Sequence, residues 1–503
     1  MDYTLIIGLE IHVQLQTESK MFSASGTDFG LPPNTQTDPV SLGLPGTLPV
    51  MNRRAFELAL KTAVALNAEI APFTKWDRKN YYYPDLPKNY QISQYDLPFS
   101  RGGWLEVPPR KDGTGGGRCR LVRVHLEEDT GKLIHGNGGW SEVDLNRAGI
   151  PLLEIVTEPD LRSAQDARAC LEELRLTLRY LGVSDCEMQE GSLRCDANVN
   201  IHIEREGKTI ATPIVEIKNL NSFRSVERAI EYEGQRQYRA WLADGLTIKD
   251  APKQTRGWDD EEGVTKPQRE KETAADYRYF PEPDLVPVVV DAAWLERVRG
   301  SIGELPRARR ERFEREHQLS AYDAGVLVEQ GKEVADYYEA VGEALLARDG
   351  SAPGEVRKLA ANWVTQDVLR IAKERKLEIG QFPVAAEVLA ELLHRVRTRQ
   401  VNTNQGREIL SKLVEGEGTL EAIIAAGGYG MVTDRGALAK TIEEILAANP
   451  KALEDLKNGK KKPEAVKGWL RGQVMKATGG KADAVLVGEL LEARLASEPG
   501  GSG

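Results

Sequence analysis

The stretch from Thr4 to Leu15 alternates strictly. Leu5, Ile7, Leu9, Ile11, Val13 and Leu15 fall on one side; Ile6, Gly8, Glu10, His12 and Gln14 fall on the other. Successive side chains of a strand point to opposite faces, so the pattern predicts a strand with an apolar back and a front that turns polar at its centre. The same period recurs. In RCDANVNIHI (194–203), Cys195, Ala197, Val199, Ile201 and Ile203 oppose Arg194, Asp196, Asn198, Asn200 and His202. VEIKN sets Val215 and Ile217 against Glu216 and Lys218. PLLEIVTEPD places Glu154 inside an apolar run, ahead of Glu158 and Asp160. VRVHLEED ends a strand-like run in Glu127, Glu128 and Asp129. Parity alone leaves open which of these acids joins the others, because a bulge at a strand end reverses it.

Around residue 290 the pattern changes. Up to there the chain is rich in Gly, Pro, aromatics and short alternating runs, which predicts a sheet-based domain. Beyond it Ala, Leu, Glu and Arg recur at helical spacing, as in AAEVLAELLHRVRTRQV. GSAPGE (350–355) reads as a loop and VNTNQG (401–406) as a linker. Short amphipathic helices separated by Gly and Pro follow, and the terminal EPGGSG reads as disordered, either native or an expression remnant. At 503 residues, 41% hydrophobic and 29% charged, the chain fits two to four globular domains.

The net charge of -10 supplies no global field favouring nucleic acid, so such contact requires a local basic patch. No run is long and apolar enough to span a bilayer, and no basic start followed by an apolar core marks a signal peptide; a cytoplasmic protein without membrane contact is expected. Cys119, Cys170, Cys186 and Cys195 form no CxxC pair, which argues for reduced, buried thiols and against a zinc knuckle.

A solvated strand face usually mixes Lys, Thr, Ser and Glu. Here several fronts carry acids, a His and Asn with sparse basic residues. Clustered carboxylates repel unless a cation holds them. Oxygen donors with one imidazole suit Mg²⁺ or Mn²⁺. Such an ion bridging nucleotide phosphates is one route to phosphoryl transfer. Neither GxxxxGK[ST] nor a helix-opening GxGxxG occurs, which excludes a P-loop and disfavours a dinucleotide fold. DGTGGGR (112–118) lies between strand-like runs and reads as a hairpin loop.

IGLEIHVQL, KMFS, DRKNYYYPDLPKNYQISQYD, HLEEDTGK, DLNRAGIPLLEIVTEPD, EGSLRCDANVN, EIKNLNSF, DYRYFPEPDL and GQVMKATGGKAD stand in this order along nearly the whole chain. Together they resemble the GatB/GatE family of tRNA-dependent amidotransferase subunits. The archaeal-type E branch carries a domain inserted before the helical region, whereas here DYRYFPEPDLVPVVVDAAWLERV runs straight into helices.

The resemblance implies an α+β chain in three parts. These are a mixed-sheet cradle domain over 1–292 resembling the glutamine synthetase and guanido kinase catalytic fold, a helical domain over 293–402, and a small helical tail over 403–503 that contacts tRNA. It implies ATP-dependent phosphorylation of the side-chain carboxylate of Glu-tRNA(Gln) or Asp-tRNA(Asn), and displacement of the phosphate by ammonia. An amidase-family glutaminase, on a separate polypeptide, would supply that ammonia, and a small third protein would tie the heterotrimer together. It implies a metal set of His12, Glu128 and Glu154 with Glu10 beside it, joined in catalysis by Asp196 and Lys79. Arg194, Lys218 and Glu216 would serve the nucleotide. Mg²⁺ or Mn²⁺ and ATP are the expected cofactors, with no zinc. No Cys–His or Ser–Lys nucleophile for splitting glutamine is evident, in keeping with ammonia from another polypeptide.

The tail carries the local positive charge. Nine Lys and Arg against three acids over 451–481 give +6. PEAVKGWLRGQVMK reads as a helix with Pro463 near its start and an apolar stripe of Val466, Trp469, Leu470 and Val474. Lys460, Lys461, Lys462, Lys467 and Arg471 are the candidate tRNA contacts. In NYYYPD, alternation would pack Tyr81 and Tyr83 and leave Tyr82 on the other face.

Overall fold

A computed structural model describes the chain except residues 1–2, 111, 137, 269–276, 349, 351, 428, 430–434, 458–462, 479–481 and 497–503. It divides into two compact units, residues 1–306 and 307–503.

The first unit is built on an 11-stranded sheet among the described residues. Its site-bearing strands are β1 (Thr4–Gln14), β2 (Gly117–Glu128), β3 (Pro151–Thr157), β4 (Leu193–Arg205), β5 (Val215–Lys218) and β6 (Gln254–Asp259). Across the sheet they run β6-β5-β4-β1-β3-β2. All neighbours are antiparallel except β5 and β6, which pair in parallel, so the sheet is mixed. The earliest strand is therefore central and paired on both edges. Its register sets Ile11 opposite Ile155 and Cys195, and Val13 opposite Leu153 and Leu193.

The back of the sheet behaves as the alternation predicts. Ile7, Leu9, Ile11, Val13, Ala197, Val199 and Ile217 are fully or almost fully buried. They share one core with three helices, α1 (Arg53–Ala65), α2 (Ala164–Tyr180) and α3 (Phe223–Asp244). Each helix starts on a polar cap: Asn52, Ser163 and Ser222 accept from the backbone N–H three residues on. Cys119, Cys170, Cys186 and Cys195 all lie in this core and form no disulfide. DGTGGGR does join an antiparallel pair, Trp104–Val107 with the start of β2. A separate three-stranded sheet, Phe280–Pro281, Asp77–Asn80 and Tyr90–Ser93, carries Lys79. Its middle strand ends at Asn80, so alternation does not extend to Tyr83, which is half exposed.

The second unit is helical. VNTNQG is not a linker: Asn402 and Gln405 form a capping box that starts the helix Thr403–Glu415. The reading as a linker missed that Asn and Gln three apart satisfy a helix's free N–H groups reciprocally. The second half of GSAPGE is not loop, because Pro353 opens the helix Pro353–Trp363 at a position that needs no N–H. The last helices share a small core of Leu438, Ile442, Leu446, Val466, Leu470, Val474, Val487 and Leu491. Pro463–Ala477 is one helix as predicted, though Trp469 lies outside its buried stripe at 47% exposure. Among the described residues no helix is long and apolar enough to cross a membrane.

Candidate active site

The sheet's register collects the front-face acids. One cross-strand row reads His125, Glu154, His12, Arg194 over β2, β3, β1 and β4. On one side of that row Glu10 sits beside Asp196, and on the other Glu127 sits beside Leu152, itself beside Gln14. His12 is the hub. Its Nε2 lies 3.5 Å from Glu154 and 3.9 Å from each of Glu10 and Glu127. His125 Nε2 lies 3.3 Å from the same Glu154 oxygen, Oε2.

Basic residues rim this cluster. Lys79 Nζ is 3.4 Å from Glu127, which also accepts from the Ser93 hydroxyl at 3.2 Å. Arg194 turns to Asp129, donating at 2.8 Å. Asp129 is buried and also takes the Gln14 amide at 2.8 Å. Lys218 bonds Asp196 at 2.5 Å and lies 3.3 Å from Glu216. Glu216 also faces Lys253 at 3.5 Å and accepts from Thr255 at 3.2 Å.

The electrostatics follow from this geometry. Burial disfavours charge on His12, but the hydrogen bond to Glu154 and the fields of Glu154 and Glu127 outweigh it and raise its pKa. Burial acts on His125 too and there prevails, lowering its pKa. Burial would raise Glu154, yet His125, His12 and Lys79 hold it well below the usual carboxylate range. Glu10 is raised, by burial first and then by Glu154 and Asp196. Lys79 and Lys218 are raised, their acidic neighbours overcoming burial.

Two overlapping groups have the donor set of a cation site: Glu10, His12 and Glu154, and His125, Glu127 and Glu154. In each, one donor atom per residue lies within 4.8 Å of the others. Donors around one octahedral ion with bonds of about 2.1 Å stand about 3–4 Å apart, the range of the His12–Glu154, His12–Glu10 and His125–Glu154 separations of 3.5, 3.9 and 3.3 Å.

Not every expected residue joins the cluster. Glu10, His12, Glu154, Asp196, Lys79, Arg194, Lys218 and Glu216 all lie on or beside the front face. Glu128 does not. β2 runs to Glu128 paired with Pro151, and parity there gives Glu127 the front and Glu128 the back. The Glu128 carboxylate is buried against Lys88 and accepts from the Ile92 N–H at 3.3 Å. Of the acids that parity left open, Glu127 and Asp129 join the site, and His125 was missed altogether. His125 shares Glu127's parity and could have been found by extending the alternation of VRVHLE. Asp129 lies past the strand and carried no periodic signal. In the tail, Lys460, Lys461 and Lys462 lie outside the described residues. Lys467 stands 3.6 Å from Glu464 and from Glu492, and Arg471 is exposed.

Comparison with known proteins bears on this arrangement. The profile of the GatB/GatE catalytic domain matches residues 5–296, and that of the GatB domain residues 349–495. The B subunit of the aspartyl/glutamyl-tRNA(Asn/Gln) amidotransferase from Rhodopirellula baltica is 53% identical over 94% of this chain and 93% of its own length. The protein of the same name from Moorella thermoacetica is 50% identical over 98% of this chain and its own full length. That from Geobacillus thermodenitrificans is 46% identical over 98% of each. With the catalytic-domain profile spanning more than half its length and such relatives aligning end to end, the chain belongs to the GatB/GatE family.

Proposed function

We propose that this chain is the amide-transferring subunit of a tRNA-dependent amidotransferase. It activates the side-chain carboxylate of Glu-tRNA(Gln) or Asp-tRNA(Asn) with ATP and passes it ammonia from a partner glutaminase. The observation that carries the reading is the front face, where acids and two imidazoles meet around His12 inside a basic rim. The end-to-end likeness to the named B subunits supports it.

A carboxylate is a poor acyl donor because oxide would have to leave. Transfer of the terminal phosphoryl group from ATP to the carboxylate oxygen, with ADP departing, makes phosphate the leaving group. Ammonia then attacks the acyl carbon, the C–N bond forms, phosphate departs with its bonding pair, and the nitrogen gives up one proton. Glu10, His12, Glu127 and Glu154 would hold Mg²⁺ or Mn²⁺, with His125 backing Glu154. When bound, the cation supplies charge neutralisation at phosphate oxygens. Lys79, Arg194 and Lys218 are cations positioned in advance, so little reorganisation is needed as charge develops. Glu216 and Asp196 hold Lys218 in place. The buried setting keeps water from an activated acyl group until ammonia arrives.

The cradle is read as related in fold to glutamine synthetase and guanido kinases, with a helical domain and a tRNA-binding tail after it. A small third protein in the complex and a cytoplasmic setting complete the proposal. The alternative is a tRNA-binding scaffold whose partner does all the chemistry. ATP hydrolysis that depends on both mischarged tRNA and Mg²⁺, and is abolished in His12→Ala, is expected. Undiminished amidation in that variant would sink the proposal.

A further inference from the structure

Four tyrosines gather beside the acidic face. Tyr95 and Tyr279 lie parallel, with ring centroids 4.2 Å apart and 7° between planes. Tyr277 meets Tyr279 nearly edge-on at 5.9 Å and Tyr81 at 6.2 Å. Lys79 joins this group to the acids, its Nζ being 3.4 Å from Glu127 and 5.4 Å from the Tyr277 ring centroid.

The rings are fixed in place but not spent on a core. The Tyr95 N–H donates to Asp77 at 3.0 Å, and Phe280–Pro281 pairs with Arg78 and Asp77. Arg78 forks onto Glu282 at 2.6 and 2.8 Å and locks the second segment to the first. Yet Tyr95 is 54% exposed, so a rigid aromatic surface stays open to solvent. Tyr82, nearby in sequence, is 83% exposed.

We infer that the Tyr95–Tyr279 pair is a stacking platform for the unpaired base at the 3′ end of the aminoacyl-tRNA. The inference rests on the tRNA reading proposed above. In an aminoacyl-tRNA the amino acid is esterified to the terminal ribose. Its side-chain carboxylate is therefore only a few bonds from that ribose, and the terminal base must come to rest close to the acids. The contacts run in series from the acids to the platform: Glu127 to Lys79, Lys79 to the Tyr277 ring, and Tyr277 to Tyr279 at 5.9 Å. Stacking on aromatic rings is the usual way a protein holds a single-stranded end. It accepts either substrate tRNA, because the 3′ end is common to all tRNAs. The adenine of ATP offers the same ring chemistry, and the test separates the two.

The assembled complex is assayed with mischarged tRNA, ATP and glutamine varied in turn. Tyr95→Ala and Tyr279→Ala are expected to raise KM for the tRNA about tenfold and to leave KM for ATP unchanged. Tyr95→Phe should behave as the unaltered protein, and Tyr95→Leu, which keeps the bulk without the ring, as Tyr95→Ala. In a binding assay, tRNA lacking its 3′-terminal nucleotide should bind the unaltered complex about tenfold more weakly than intact tRNA, and Tyr95→Ala should erase that difference. A rise in KM for ATP alone, or the same truncation penalty in both proteins, would overturn the inference. Failure of the broader functional reading would look different: the unaltered complex would not amidate mischarged tRNA at all.

Discussion

The sheet of the first unit and the small helical core of the tail handle charge in opposite ways. In the tail, apolar residues such as Leu438, Leu470 and Val474 are buried together, and Lys467, Arg494 and their acidic partners stay at the surface. Exposed ion pairs of this kind each contribute little. On the sheet's front, Glu127, Glu154 and His125 are all buried, as is Asp129 just past the end of β2. Removing charged groups from water is costly unless partners compensate closely. The tail can thus exchange surface residues at small cost to its fold, whereas each front-face acid is tied to a specific neighbour.

The sharpest way to break this contrast is to remove the central acid. Glu154→Gln and His12→Ala should each lower amidation of mischarged tRNA about 100-fold or more in single-turnover assays, with the back of the sheet still folded. Next in size is the adjacent pair. Glu127→Gln should lose activity in the same manner. Glu128→Gln should instead leave Lys88 buried without its partner, costing about 3 kcal/mol in denaturant unfolding while activity per folded molecule persists. Equal loss of activity in both variants would place Glu128 in the chemistry after all.

The helical unit holds a buried titratable group of its own. His317 bonds the Tyr338 hydroxyl through Nδ1 at 3.0 Å. Burial, helped by Arg357 and Arg312 against Glu339, lowers its pKa to about 4. The unfolded chain therefore takes up this proton first. The contribution is complete above the ordinary imidazole pKa of about 6.5 and is lost as pH falls towards 4, by about 2 kcal/mol once solvent screening of this half-buried group reduces the full linkage of about 3 kcal/mol. Hydrogen exchange of the helix Lys332–Leu346 across this range should report the loss, and His317→Gln should flatten it. The smallest effect belongs to the tail surface. Lys467→Ala with Arg471→Ala should weaken tRNA binding several-fold and reduce the slope of log affinity against log salt by up to about two, with no change in melting temperature.

Much of this site was legible because it lies on strands. Period two assigned Glu10, His12, Asp196, Arg194, Glu216 and Lys218 to one face, and the register brought them together without a bulge between Glu10 and Gln14. The same rule, carried to the end of VRVHLEE, selects His125 and Glu127. At a strand end sequence alone cannot exclude a bulge, which reverses parity, and the family resemblance points to Glu128. Lys79 and Asp129 depend on contacts between distant segments, which no local period encodes. Among the helices, the capping box at Asn402 was visible in the letters but hidden by a composition typical of loops.

The place of β1 in the sheet also has a consequence for how the protein is made. Its partners β3 and β4 begin at residues 151 and 193. A ribosome adding about 5–20 residues per second leaves this strand waiting on the order of ten seconds or more before its second partner is synthesised. Until β3 emerges, Ile7, Leu9, Ile11 and Val13 sit on a strand with no partner on either edge. β1 is made ahead of both its partners and is closed on its second edge only by β4, so a nascent chain halted short of β4 cannot bring Glu10 beside Asp196.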